Sequence, residues 1–294
     1  MEGQIFDASF LRKLEMMTLQ AKKALAGKNG GDRRSPLKGK SVEFADFRNY
    51  STGDDFRQID WNAYARLEKL FLKLFMEEQD ATVYIFIDCS TSMDHGQPAK
   101  ARMARQLAGA LAYISLANFD RVAVGACTDR LAEFLPPVRG RGSIWKVWNF
   151  IENLPSTGMT DLDSALWDVG SYRPGPGISV VISDLLSPSG CREGLKFLRF
   201  HKQEISLLQV LSPEELNPEL RGDLRLIDCE SGWAREVTVT PGLLQAYRQR
   251  LALLVNDTRA FCLQQGINYL QLASDSPLEA VLLKSMRQAG ILNN

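Results

Sequence analysis

The residues with the clearest chemistry are two aspartates and three hydroxyl side chains that could share one divalent cation. Asp88, Ser90 and Ser92 are spaced two residues apart, and Thr160 and Asp184 follow much later in the chain. Hard cations such as Mg²⁺ prefer oxygen ligands in near-octahedral geometry, which carboxylates and hydroxyls supply. The spacing predicts a magnesium site made of these five residues, and Mn²⁺ or Ca²⁺ would suit the same oxygens.

These residues fall where predicted strands end. The run over 81–88 is apolar and rich in β-branched and aromatic residues, which is typical of a buried strand, and Asp184 follows a second such run over 178–183. Thr160 lies in a loop with Gly158. Open α/β sheets bind ligands outside the carboxyl ends of their strands, so we expect all five residues on one rim.

Most of the predicted ligands are neutral hydroxyls, so a bound cation would keep much of its positive charge. It should then attract a further anion, and the natural one is a carboxylate from another protein. Each residue also has a simpler interpretation, because Asp88 or Thr160 could cap a following helix and Asp184 could be a turn residue. It is the combination of the five that favours the metal site.

Strand-like and helix-like segments alternate from residue 81 onward, which predicts an α/β fold with a mostly parallel sheet and helices on both faces. The predicted strands are 81–88, 121–127, 178–183, 204–210 and 267–272. The predicted helices are 98–118, 143–153, 161–171, 190–201, 241–265 and 277–289. Residues 224–229 and 235–240 flank Glu230-Ser231-Gly232-Trp233, which predicts a hairpin at one sheet edge.

We predict two domains: an N-terminal extension over 1–79 with helical and β structure, and the α/β domain over 80–294. The extension begins with helical periodicity over 8–26, followed by a Gly-rich basic loop over 27–40. Its segment from 43 to 66 is dense in charged and aromatic residues. That segment could be a polar network or a docking surface, and we expect Trp61 to anchor a core.

Composition narrows the function classes. The 294 residues include 35 Lys plus Arg and 35 Asp plus Glu. The net charge is therefore zero, and no overall electrostatic field favours the binding of nucleic acid. No uninterrupted apolar segment suits a signal peptide or a membrane span, and five cysteines without a metal-type spacing fit reduced thiols. We therefore expect a cytoplasmic protein without a membrane span.

An enzyme is the main alternative, because a strand-end aspartate with Mg²⁺ also serves phosphoryl-transfer hydrolases, with Asp88 as the nucleophile. Such enzymes usually carry a second carboxylate two residues later, where this chain has Ser90. No motif places a lysine beside Asp184. With only His95 and His201, and without a GxSxG or GxxxxGK[ST] motif, a serine hydrolase or an ATPase is disfavoured. We expect no catalytic residues.

The DxSxS sequence at 88–92, with Thr160 and Asp184, resembles the metal-ion-dependent adhesion site of von Willebrand factor A-type domains. The resemblance covers about residues 80–290. It implies the Rossmann-like, mostly parallel sheet of that fold, with Mg²⁺ at its top and a partner carboxylate completing the coordination.

The preceding segment resembles the signature of the bacterial domain-of-unknown-function fifty-eight family. The matching residues are Ser41-Val42-Glu43-Phe44, Arg48-Asn49-Tyr50, Gly53-Asp54-Asp55, Arg57-Gln58-Ile59-Asp60-Trp61 and Ala65-Arg66. That family is commonly encoded beside MoxR-type AAA+ ATPases. The resemblance implies an adaptor or co-chaperone that binds such an ATPase, its client or both during protein maturation or stress.

Overall fold

The chain is described as a computed structural model over residues 8–20, 43–50, 59–67, 69–76, 82–187 and 189–293. The strands in these ranges are β1 (Thr18–Leu19), β2 (Glu43–Asn49), β3 (Phe71–Met76), β4 (Thr82–Asp88), β5 (Arg121–Cys127), β6 (Leu131–Arg139), β7 (Gly177–Ser183), β8 (Gln203–Leu211), β9 (Gly222–Ile227), β10 (Ala234–Val239), β11 (Asn268–Ala273) and β12 (Leu292–Asn293). The α-helices are α1 (Ala8–Glu15), α2 (Trp61–Leu67), α3 (Lys100–Ala117), α4 (Ile144–Glu152), α5 (Leu162–Asp168), α6 (Arg192–Phe200), α7 (Pro213–Leu216), α8 (Pro241–Gln265), α9 (Leu278–Ala280) and α10 (Met286–Gln288).

Within the described ranges, six strands form the central sheet in the order β11-β8-β7-β4-β5-β6. Neighbouring strands are parallel except for the antiparallel pair β5 and β6. Buried apolar clusters with helical residues cover both faces of the sheet. The predicted α/β fold class, a mostly parallel sheet with helices on both faces, is therefore confirmed.

Edge strand β6 was not predicted from the sequence. It contains Pro136 and Pro137, which cannot donate backbone hydrogen bonds and therefore read as loop residues. An edge strand tolerates proline because one of its sides has no ladder to complete, and the register with β5 shifts beside these residues. The strand thus exists because its partner supplies the pairing, not because its own sequence favours it.

The central strand β4 is buried along its whole length and alternates between the two cores. Val83, Ile85 and Ile87 lie in the cluster on one face, and Tyr84 and Phe86 lie in the cluster on the other. Each fully buried aliphatic side chain of this size contributes about 1.5–3 kcal/mol. This two-sided burial fixes the register of β4, and with it the position at which Asp88 leaves the sheet.

Helix α3 packs on the face of the sheet that bears Val83, Ile85 and Ile87. Its buried residues include alanines at 101, 104, 108, 110 and 112, whose small side chains let a helix lie close to the strands. Most residues of α3 are buried, but no helix among the described residues combines the length and apolar composition needed to cross a bilayer.

The N-terminal helix is shorter than predicted. Instead of continuing over 8–26, α1 ends at Glu15, and β1 then pairs with β12 near the other end of the chain. Leu14 and Met17 are buried in the same cluster as α3. These residues therefore belong to the sheet domain rather than to a separate extension, and the compact units are 1–27 with 81–294, and 28–80.

In the unit over 28–80, β2 and β3 form an antiparallel pair and α2 lies between them in sequence. The Asp60 carboxylate accepts a hydrogen bond from the backbone N–H of Ala63, which satisfies a donor at the start of α2. Trp61 is 60% exposed and contacts only the edge of the Tyr64 ring among the aromatic contacts described, so its predicted core position is wrong. The predicted basic loop and the signature residues at 41–42 and 51–58 lie outside the described residues.

Two predictions near the C-terminus need correction. The hairpin β9–β10 forms, but its strands pair with each other as a separate two-stranded sheet in the described part of the chain instead of extending the central sheet edge. The helix predicted over 277–289 is interrupted by a π-helical turn, Val281–Ser285, between α9 and α10.

Candidate metal centre

The predicted ligands lie where the order of the sheet reverses. From β4 the chain moves to β5 on one side, and it later returns to β7 on the other side of β4. The carboxyl ends of β4 and β7 therefore border the crevice in which open α/β sheets bind ligands. Asp88 is the last residue of β4, and Asp184 directly follows β7.

Asp88 is held by hydrogen bonds to both carboxylate oxygens. Its Oδ1 accepts from the backbone N–H of Ser90 at 3.0 Å and from the Ser90 hydroxyl at 2.7 Å, and its Oδ2 accepts from Ser183 at 2.5 Å. The side chain is 1% exposed. Burial, followed by the nearby charge of Asp184, raises the pKa of Asp88 to about 6. A cation at this point would offset both unfavourable effects.

Hydroxyl groups connect Asp88 to Asp184. The Ser90 and Ser92 hydroxyl oxygens lie 3.0 Å apart, and the Ser92 hydroxyl donates to Oδ2 of Asp184 at 3.0 Å. Oδ1 of Asp184 accepts from the backbone N–H of Leu186, which fixes the carboxylate after the strand. Four predicted ligands thus form one continuous chain of oxygen atoms.

Thr160 lies in a loop that is attached to the turn after β4. The backbone N–H of Thr91 donates to the Gly158 carbonyl at 3.1 Å, and that of Thr157 donates to the Cys89 carbonyl at 2.8 Å. Gly158 has φ +86°, a conformation that favours glycine and lets the loop approach this turn. The Thr160 hydroxyl donates to Oε1 of Glu230 at 2.8 Å.

The oxygens of four predicted ligands are spaced at hydrogen-bond distances, and the same spacing is compatible with adjacent ligands of a magnesium ion. Octahedral Mg²⁺, with Mg–O bonds of about 2.0–2.1 Å, places adjacent ligand oxygens about 2.9 Å apart. The oxygens from Asp88 through Ser90 and Ser92 to Asp184 are separated by 2.7, 3.0 and 3.0 Å. Among the described residues, no group of three or more His, Cys, Asp or Glu side chains could hold a metal, so a site here depends on hydroxyls. Cation binding by the five residues stays a prediction.

Sequence reasoning missed Lys100, the first residue of α3. Its ammonium group donates to Oδ2 of Asp184 at 2.6 Å and also to Glu215, and the side chain is 1% exposed. Burial alone would lower the pKa of Lys100, but Asp184 and Glu215 outweigh it and the pKa is raised. A lysine in the first turn of a helix also opposes the helix dipole, so the two carboxylates must stabilise it. No local sequence pattern reveals this contact across 84 residues.

Asp88 is buried and hydrogen-bonded at both carboxylate oxygens, whether it acts as a metal ligand or as a nucleophile. Lys100 supplies the lysine beside Asp184 that no motif predicted, but the residue two positions after Asp88 is still the hydroxyl-bearing Ser90. The chain therefore lacks, at this position, the second carboxylate that phosphoryl-transfer enzymes of this kind usually use.

A family model described as protein of unknown function DUF58 matches residues 46–260. This chain belongs to the DUF58 family. The predicted resemblance to the domain-of-unknown-function fifty-eight family is thus confirmed. An uncharacterized protein of Mycobacterium tuberculosis is 25% identical to this DUF58 protein over 257 residues, which span 86% of this chain and 81% of the relative.

Solved structures that are similar to this DUF58 protein include the following two. Conserved hypothetical protein BatB from Bacteroides thetaiotaomicron is 16% identical with a TM-score of 0.44, over 71% of this chain and 98% of that one. A von Willebrand factor type A structure from Catenulispora acidiphila is 19% identical with a TM-score of 0.38, over 48% of this chain and 35% of that one. At these levels of identity and superposition, neither structure assigns a partner or a metal to this DUF58 protein.

Proposed function

We propose that this protein is a metal-dependent protein-binding module in which a divalent cation, Mg²⁺ in the first instance, holds an acidic side chain of a partner. The observation that carries this proposal is the chain of oxygens from Asp88 through Ser90 and Ser92 to Asp184, spaced at 2.7–3.0 Å. These four residues and Thr160 would hold the cation. When bound, the cation supplies a concentrated positive charge with affinity for carboxylate oxygen.

The protein's own residues fix where that charge would lie. Ser183 and the Ser90 backbone orient Asp88, and the bonds from Thr91 to Gly158 and from Thr157 to Cys89 keep the Thr160 loop beside the turn after β4. Such orienting contacts around ligands typically change metal affinity about 10- to 100-fold. Oxygen ligands that are already held in place support the binding of a cation, and this function requires no catalysed reaction.

The partner in this proposal is a MoxR-type AAA+ ATPase, its client protein or both, with this chain as a cytoplasmic adaptor or co-chaperone. Support comes from membership of the DUF58 family and from the signature residues that resemble proteins encoded beside such ATPases. ATP hydrolysis is left to the partner, because the sequence contains no GxxxxGK[ST] loop.

Calorimetric titration with Mg²⁺ tests the metal site directly. Asp88→Ala and Ser92→Ala should lose binding, whereas Asp257→Ala on the exposed side of α8 should bind as wild type does. At a magnesium concentration ten times the Kd, binding should stabilise the wild-type protein by about 1.4 kcal/mol. Unchanged magnesium binding in both site variants would exclude this ligand set.

A pull-down with the purified MoxR-type ATPase of the same organism tests the adaptor role. Wild type and Asp88→Ala are compared with and without EDTA, and only metal-loaded wild type should retain the ATPase. Equal retention in all four conditions would rule out metal-mediated attachment.

The alternative function is a magnesium-dependent phosphoryl-transfer hydrolase with Asp88 as nucleophile, favoured only by the position of Lys100 beside Asp184. Turnover of a generic phosphomonoester in Mg²⁺ tests it. Activity that disappears in Asp88→Ala but persists in Asp257→Ala would establish the enzyme and displace the binding module.

A further inference from the structure

The β9–β10 hairpin is a two-stranded sheet with open edges. Its residue pairs, from Gly222 with Val239 to Ile227 with Ala234, are antiparallel, and within the described part of the chain neither strand pairs with a third. An isolated two-stranded hairpin is marginal in water, and an unpaired edge presents backbone N–H and C=O groups that another strand can complete. The hairpin therefore has the backbone of an acceptor for one more strand.

The turn of the hairpin is fixed to the rest of the domain. The Asp228 carboxylate accepts from the backbone N–H groups of Glu230 at 2.8 Å and Ser231 at 3.1 Å, which orders the turn. The Glu230 carboxylate in turn accepts from the hydroxyl and the backbone N–H of Thr160. These bonds hold the two open edges at a defined position.

An apolar cavity of about 850 Å³ lies between the hairpin and α8. Its apolar lining includes Leu220, Leu226, Val237, Val239, Leu243 and Tyr247. The leucines and the tyrosine in this set are 38–45% exposed. Pockets that bind ligands typically have volumes of about 300–1,000 Å³, and clustered exposed apolar side chains mark interaction sites. The cavity is therefore suited to apolar groups from another molecule.

The residues of β10 that line the cavity follow the alternation of a strand. Arg235, Val237 and Val239 line it, and the side chains of Glu236 and Thr238 between them point to the other face. A strand added beside the hairpin would alternate in the same way, with every second side chain entering the cavity. An open edge next to an apolar cavity thus fits an extended segment, because a helix or a small molecule would leave the edge unpaired.

The charges in the cavity wall indicate a further property of that segment. Three carboxylates line the cavity, and Lys100 neutralises that of Glu215. The other two, Asp94 and Glu214, belong to no ion pair within the described ranges. Among the described lining residues, Arg235 is the one Arg or Lys, so a negative charge remains in excess. A basic residue beside the apolar side chains would complement it.

We propose that the β9–β10 hairpin and this cavity form a docking site for an extended segment of another protein. The segment adds a strand to the hairpin, places alternate aliphatic side chains in the cavity and carries one Lys or Arg for the acidic wall. The site requires no bound cation and therefore goes beyond the metal-dependent binding proposed above.

A synthetic peptide titrated into the full chain in EDTA tests this proposal. The probe is a capped heptapeptide with threonine at the odd positions and valine, valine and lysine at the even ones. Calorimetry should show binding that weakens about tenfold or more when both valines are replaced by serine. Replacement of the lysine by glutamate should weaken it about threefold. Hydrogen exchange should slow at backbone amides of β9 or β10, because the added strand completes an open edge.

Two protein variants locate the site on the hairpin. Val237→Gln places a polar amide in the cavity and should weaken peptide binding about tenfold. Thr238→Gln makes a change of similar size on the opposite, exposed face of β10 and should bind as wild type does.

Each contrary result overturns a stated part of the proposal. Absence of binding to wild type, or equal binding of the valine and serine peptides, excludes the docking site without relying on any protein variant. Binding that leaves hydrogen exchange in β9 and β10 unchanged excludes strand addition, and equal effects of Val237→Gln and Thr238→Gln exclude the cavity. Equal binding of the lysine and glutamate peptides excludes the basic residue. Because EDTA is present throughout, none of these results depends on the metal centre.

Discussion

Replacement of Lys100 by methionine should reveal how strongly the candidate site depends on a built-in cation. Lys100 and Asp184 are each 1% exposed and their charged atoms lie 2.6 Å apart. Removing one member of a buried ion pair typically costs about 3–5 kcal/mol, because the other charge stays buried without compensation. For a domain of this size, we expect Lys100→Met to lower the melting temperature by about 6–20 °C in EDTA.

The same substitution should strengthen magnesium binding. In wild type, a cation that coordinates Asp184 must share that carboxylate with the ammonium group of Lys100. Two unit charges about 4 Å apart at an effective dielectric constant of about 20 interact by about 4 kcal/mol. If a third of this repulsion between Lys100 and the cation is removed, the affinity for Mg²⁺ rises about tenfold. Lys100→Met should therefore bind Mg²⁺ at least about ten times more tightly than wild type.

Thermal unfolding and calorimetric titration, each with and without Mg²⁺, measure both effects. Lys196→Met is the matched control, because Lys196 pairs with Glu193 on the exposed surface of α6, where such a pair is worth about 0.5 kcal/mol or less. Lys100→Gln keeps a donor for Asp184 and should fall between the two variants. Equal stability of Lys100→Met and Lys196→Met in EDTA, or magnesium affinity that does not rise, would refute the reasoning.

Two further predictions concern the scaffold. Burial and the hydrogen bond to Glu15 raise the pKa of Tyr113 to about 12, so the folded protein keeps the phenol proton as pH rises above the ordinary value of 10. The free energy of unfolding that depends on this proton is fully present below pH 10 and is lost between pH 10 and 12. Denaturant titrations should show no such loss for Tyr113→Phe. At pH 8 this variant should be about 1 kcal/mol less stable than wild type, because it lacks the hydrogen bond to Glu15. A Cβ on Gly177 would lie 2.3 Å from the carbonyl oxygen of Thr82, so Gly177→Ala must force β7 away from β4 and should cost about 1–3 kcal/mol. Gly175→Ala, where a Cβ meets nothing within 4 Å, is its control, and equal denaturation midpoints for the two alanine variants would contradict the prediction.

Local spacing and the rule for strand ends were sufficient to find most of the candidate site. Asp88, Ser90 and Ser92 follow one buried run directly and Asp184 follows another, so each could be placed at a strand end from sequence alone. Glu230 and Lys100 could not be found in this way. Their contacts to Thr160 and Asp184 join distant parts of the chain, and no short-range pattern encodes them.

The errors in the fold share a physical cause. The apolar spacing after Glu15 is compatible with a longer helix, yet Thr18 and Leu19 are extended because they pair with residues 293 and 292. Strand β6 contains two prolines and forms through pairing with β5. In both places, long-range pairing overrides local propensity, which a reading of nearby residues does not capture.

The pairing of Thr18 with Asn293 also constrains when the protein can be completed during synthesis. Thr18 leaves the ribosome well before Asn293, because the rest of the domain lies between them in the sequence. Strands β4, β5, β7 and β8 can assemble while the chain is still growing, but β1 must wait until β12 has emerged. Until then its future partner surface stays open, and this interval is when a nascent chain of this kind would most need a chaperone.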